Sequence, residues 1–164
     1  MPNARRTAYE PGHKPKFLVI IDATPECDRA LYFAAKRAAR LSGGVVLAII
    51  NEPETFANWF GGDVIRAEAE EKARETLERA AGRARVIAGI EAELTIREGV
   101  PAEEIVRLID EDLDIATLVL AAGTSKDGPG PLVSTLAIKA SATFPIPIAI
   151  IPGTLTDQDI DTLA

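Results

Sequence analysis

The span from Ile115 to Leu136, IATLVLAAGTSKDGPGPLVSTL, joins an apolar run to a glycine-rich loop and then to a segment carrying the hydroxyls of Ser134 and Thr135. A strand that feeds a helix through such a loop leaves unpaired backbone N–H groups and a positive dipole end above the sheet, which suits an anion. The P-loop pattern fails here. Gly123 and Gly128 have its spacing, but Pro129 and Gly130 stand where lysine and the metal-binding hydroxyl belong. The dinucleotide pattern fails as well, because Gly128 and Gly130 are followed by Val133 at the third glycine, and the run comes after the fourth strand.

Other chemistries are bounded by single residues. Cys27 is the one cysteine, so neither an intrachain disulfide nor a cysteine cluster for a metal can form, as suits a reducing compartment. His13 is the one histidine and lies in a Pro/Gly/Lys-rich N-terminal stretch, which removes Ser-His-Asp, Cys-His and multi-histidine zinc arrangements together. The formal net charge of −7 disfavours nucleic acid and anionic membranes as partners. No apolar run has the length of a bilayer span and no apolar segment follows Arg5-Arg6 to make a signal peptide, so the expectation is a cytoplasmic protein.

The elements that position the loop follow from hydropathy. At 164 residues, 47% of them hydrophobic, the chain suits one domain with one core. Phe17–Ile21, Val45–Ile50 and Ile115–Ala121 are continuous apolar runs, as expected of strands buried on both faces. Ala92, Leu94 and Ile96 alternate with polar residues, and Ile146–Ile151 contains Pro147, so these two strands belong at edges. Helices are expected between them: one capped by Thr24 with Pro25 at its first position, one from Asp63 to about Ala88, one opened by Pro101, and one carrying Val133 and Leu136. Five strands alternating with four helices specify an α/β three-layer sandwich, a mostly parallel five-stranded sheet with helices on both faces. Strand character gives the order 3-2-1-4-5, with the chain reversing between strands one and four, where Asp22 and Gly123 share a crevice. Residues 1–15 and 154–164 read as a disordered N-terminal tail and a C-terminal tail flanking a domain of residues 16–153. Phe56, Trp59 and Phe60 stand in a connecting loop, where they can pack beneath it, close a pocket or meet a second subunit.

The stretches Phe17 to Asp22, Ile96 to Ile105 (IREGVPAEEI), Leu118 to Gly123, and Phe144 to Ile151 together resemble the universal stress protein family from Lys16 to about Gly153. The resemblance implies the same sheet order, a homodimer, and in one branch of the family ATP or another adenine nucleotide, with Mg2+, at the switch point. That branch carries Gly, two residues, Gly, nine residues, Gly, then Ser or Thr. Counted from Gly123, Lys126 falls at the second glycine and Leu136 at the third, whereas a loop two residues shorter aligns Ser134-Thr135 with the closing pair. By resemblance, Asp22 accepts from the nucleoside and the Ile50 backbone meets the base. Gly123, Thr124, Gly128, Gly130, Ser134 and Thr135 then surround phosphates, with Lys126 as the loop's cation. Beyond Asp22 no general base, nucleophile or metal set stands out, so the expectation is a binding protein and not an enzyme. Two alternatives stay open: a nucleotide-free dimeric interaction protein, and a slow ATPase or self-phosphorylating protein with Ser134 or Thr135 as acceptor.

Overall fold

A computed structural model describes residues 5–53, 62–140 and 142–164. The aromatic segment Phe56, Trp59 and Phe60 lies outside the described residues. The elements run β1 (Lys16–Ile20), α1 (Cys27–Arg40), β2 (Gly44–Asn51), α2 (Gly62–Ala88), β3 (Glu93–Glu98), α3 (Pro101–Glu111), β4 (Ile115–Ala122), α4 (Pro131–Ala140), β5 (Ile148–Pro152) and α5 (Asp157–Leu163). The sheet has the order β3-β2-β1-β4-β5 and every neighbouring pair is parallel, so the expected order is found and the sheet is wholly parallel. Among the described residues no helix is long and apolar enough to cross a membrane.

The continuous apolar runs arise because alternate residues of the central strands enter different cores. Phe17, Val19, Val45, Leu47 and Val119 face α1, α2 and the buried Ile160 of α5. Leu18, Ile20, Val46, Leu118 and Leu120 face the apolar sides of α3 and α4. Pro147 stands just before β5 instead of within it, and its carbonyl accepts from the Leu118 N–H at 3.0 Å. The strand therefore pairs with β4 from Ile148 onward through residues that keep their N–H groups, and its second proline, Pro152, stands at its last position.

Helix α1 starts later than Thr24 and Pro25 suggest. The Thr24 N–H donates to Asp22 Oδ1 at 2.9 Å and its hydroxyl donates to the same oxygen, so Asp22 captures the residue expected to cap the helix. Glu26 takes the N-cap position, with no side-chain cap bond.

Within the described residues, both segments expected as tails contact the rest of the molecule. The Arg6 guanidinium donates to the carbonyls of Ile109 (2.9 Å), Asp112 (2.6 Å) and Ile115 (2.8 Å), taking up acceptors left at the end of α3. Ala8 is buried, and Asp114 Oδ1 accepts from the Thr7 hydroxyl at 2.6 Å and meets His13 Nδ1 at 2.9 Å. Residues 6–15 thus strap the end of the sheet opposite the loop. At the other terminus a capping box opens α5: Thr156 Oγ1 accepts from the Asp159 N–H, and Asp159 Oδ2 accepts from the Thr156 N–H. Ile160 is 0% exposed, while Asp161 accepts from the Tyr32 hydroxyl at 2.8 Å.

These contacts set two stability expectations. Ile160→Ala should cost about 2–4 kcal/mol through lost burial and a residual cavity. Arg6→Ala should cost about 1.5–3 kcal/mol, because carbonyls lose a charged donor. Urea unfolding checks both; losses under about 0.5 kcal/mol, the size of an ordinary surface substitution, would return the termini to the expected tails.

Candidate functional site

At the C-terminal ends of β1 and β4 the chain leaves toward opposite faces, α1 packing on one and α4 on the other. The gap between these departures is the ligand position of an open parallel sheet. Asp22 follows β1 by two residues and Gly123 follows β4 directly, which puts both at the rim.

The loop from Gly123 to Gly130 is folded onto itself. The Gly123 N–H donates to the Pro129 carbonyl at 3.0 Å, and the Gly128 N–H donates to the Ser125 carbonyl at 3.1 Å. Gly128 and Gly130 have φ of 100° and 108°, a backbone region that L side chains rarely adopt, and this explains glycine on both sides of Pro129. Pro131 begins α4 at a position whose N–H has no helical acceptor, so its missing donor costs the helix nothing. The Ser134 N–H reaches back to the Gly130 carbonyl at 3.1 Å.

Two chambers and a narrow neck occupy the crevice. The first, about 340 Å³, lies beneath Ile50, Val100, Ala102 and Leu132 and is edged by Asp22, Glu52 and Thr135. The second, about 640 Å³, is bounded by Glu26, Gly123, Thr124, Ser125, Asp127, Gly128, Gly130 and Ser134, whose hydroxyls and carboxylates stand at its rim. The neck, about 150 Å³, shares Asp22 and Leu132 with the first chamber and Glu26 and Gly130 with the second, while Pro131 borders all three. Of the residues the sequence nominated, Asp22, Ile50 and Thr135 border the apolar chamber. Gly123, Thr124, Gly128, Gly130 and Ser134 border the second. Lys126 borders neither chamber nor the neck. Ser134 and Thr135, adjacent in sequence, edge different chambers.

Several lining residues were not nominated: Val100, Ala102 and Leu132, which make the apolar wall, and Glu26, Glu52 and Asp127, which bring charge. Val100 and Pro101 could have been found from strand order alone, since β3 ends on the same side of the sheet beside β2. The carboxylates carry no periodic signature, and only the fold gathers them.

The lining of the crevice is acidic. Asp22, Glu26, Glu52 and Asp127 border it, and no lysine or arginine does among the described residues. The Glu26 carboxylate lies against the loop so closely that a Cβ on Gly123 would sit 3.1 Å from Glu26 Oε1. Asp28, two positions on, is by contrast neutralised: Arg83 Nε donates to it at 3.0 Å and Arg29 at 2.6 Å, and these hydrogen bonds, led by Arg83, hold its carboxyl below the usual carboxylate range. Cys27 borders the neck with Sγ 3.7 Å from the Ile20 carbonyl oxygen. Burial pushes its thiol up to about 11, with Asp22, Asp28 and Glu26 adding to the rise and a backbone hydrogen bond at Asp22 opposing it. Among the described residues no group of three or more His, Cys, Asp or Glu side chains is placed to hold a metal ion.

Sheet order, covering layers and crevice together define a doubly wound α/β protein with a ligand position at its switch point. The model of the universal stress protein family matches residues 15–152, and the chain belongs to that family. In structure it is similar to the universal stress protein UspA from Lactobacillus plantarum, at 16% identity over 91% of this chain and 99% of the other, with a TM-score of 0.66. It is also similar to a universal stress protein in complex with cAMP, at 18% identity over 85% of this chain and 98% of the other, with a TM-score of 0.59. A third similar structure is the universal stress protein from Archaeoglobus fulgidus in complex with dAMP, at 21% identity over 84% of this chain and 96% of the other, with a TM-score of 0.56. No curated protein matches the chain in sequence.

The Cys27 environment predicts an inert thiol. A rise from 9.0 to about 11 should make alkylation by iodoacetamide near neutral pH about a hundredfold slower than that of an unperturbed thiol, with the rate climbing only as the pH approaches about 11. Reaction at the rate of a free thiol at neutral pH would contradict the burial and the acidic surroundings.

Proposed function

We propose that this universal stress protein holds an adenine nucleotide in the switch-point crevice and acts by occupancy, as a homodimer, without catalysing a reaction. The observation that carries the reading is that a chamber walled by Ile50, Val100 and Leu132 and one rimmed by the hydroxyls of Thr124, Ser125 and Ser134 flank a smaller cavity at Asp22 that shares residues with both. A purine ring suits the space between Ile50, Val100 and Leu132. Asp22 Oδ1 is held by Thr24, which leaves the other carboxylate oxygen to accept from a ribose hydroxyl. The hydroxyls of Thr124, Ser125 and Ser134 border the chamber into which a phosphate then extends. The neighbours crystallised with cAMP and dAMP support an adenine ligand on this fold. Dimerisation is supported by β5, an edge strand with one unpaired side and Ile150 exposed.

A second reading, a nucleotide-free adaptor, draws on the loop's own hydrogen bonds. The Gly123 and Gly128 N–H groups, natural donors to a phosphate, are already taken by Pro129 and Ser125. Thermal unfolding separates the readings. A ligand at about a hundred times its Kd stabilises the folded state by about 2.7 kcal/mol, roughly 5–10 °C for a domain of this size. Millimolar AMP should raise the melting temperature by several degrees, and Leu132→Trp, which fills the wall between the apolar chamber and the neck, should abolish the rise. No shift with any adenine nucleotide would favour the adaptor.

A further inference from the structure

Resting on the nucleotide reading above, we propose that the crevice selects its ligand by charge, accepting an adenine nucleoside with at most one phosphate and rejecting polyphosphates. Size is not the selector. The second chamber, at about 640 Å³, is the larger of the two, so a longer phosphate chain has room. What it lacks is a counter-charge. Glu26 and Asp127 both border the chamber, and neither makes an ion pair among the described residues, whereas nearby Asp28 is paired with both Arg29 and Arg83. Glu26 therefore brings to the chamber a carboxylate with no ion-pair partner among the described residues.

Two further facts bear on this. Lys126, the loop's own cation, borders neither chamber nor the neck. The N–H groups of Gly123, Gly128 and Ser134 donate to carbonyls of the same loop and Pro131 has none, so the start of α4 offers a first phosphate the N–H groups of Leu132 and Val133 but no full positive charge for a second or third. Neutral hydroxyls on Thr124, Ser125 and Ser134 remain, enough to hold one phosphate. Each additional phosphate adds negative charge facing carboxylates at a short, partly enclosed distance, where repulsion exceeds its value in bulk water.

Calorimetric titration of the full chain with adenosine, AMP and ATP in EDTA at low salt tests this. AMP should bind at least about tenfold more tightly than ATP, and the ratio should shrink between about 0.05 M and about 0.5 M KCl as screening sets in. Glu26→Gln should narrow the ratio, and so should Asp127→Asn on the exposed loop, which keeps the test usable if the first variant folds poorly. ATP binding as tightly as AMP would overturn charge selection while leaving the nucleotide site intact. An AMP preference that neither salt nor either variant alters would overturn it as well, by assigning the preference to shape. Failure of all three ligands to bind would remove the nucleotide reading itself.

Discussion

The pairing of β1 with β4 is the constraint on which the rest depends. These strands lie side by side, with Leu18 opposite Leu118 and Val19 opposite Val119, yet they are far apart in the chain. Each must be followed by a helix that covers apolar surface, and α1 and α4 take opposite faces. Their first residues therefore diverge above the sheet. The crevice is what this divergence leaves, and Asp22, Glu26, Gly123 and Leu132 border it because they begin the departures. No special motif is needed to make the opening, only to furnish it.

How it is furnished distinguishes this chain. The prolines at 129 and 131 and the left-handed glycines at 128 and 130 turn the loop back on itself, so the N–H groups of Gly123 and Gly128 serve the loop before they serve a ligand. Glu26 then places a carboxylate against Gly123. A site whose location suits a phosphate thus has a lining that favours little negative charge. Geometry and electrostatics agree on an adenine ligand of low charge better than on a triphosphate. The same acidic surroundings, together with burial, account for the raised Cys27 thiol.

Much of the fold was legible because burial on both faces imprints the sequence directly. Phe17–Ile21 and Leu118–Ala121 have no polar interruption since each residue enters one core or the other. The edge positions of β3 and β5 followed from their departures from that pattern. The termini were not legible for the same reason. Arg6 secures its segment through backbone carbonyls about a hundred positions away, which no local pattern records. The capping box Thr156 to Asp159 opens a short helix whose buried residue is Ile160, so there was no periodicity to sum. The location of the site was readable from strand order. Its charge was not, because Glu26, Glu52 and Asp127 follow three different strands and meet only in the fold.

The account rests on the crevice being the place where an adenine ligand sits, and a crystal structure of the protein grown with AMP tests that most directly. The predicted result is purine density between Ile50 and Leu132, the ribose beside Asp22, and the single phosphate among the Thr124, Ser125 and Ser134 hydroxyls. Purine density elsewhere on the surface, with the crevice closed by its own loop, would contradict it.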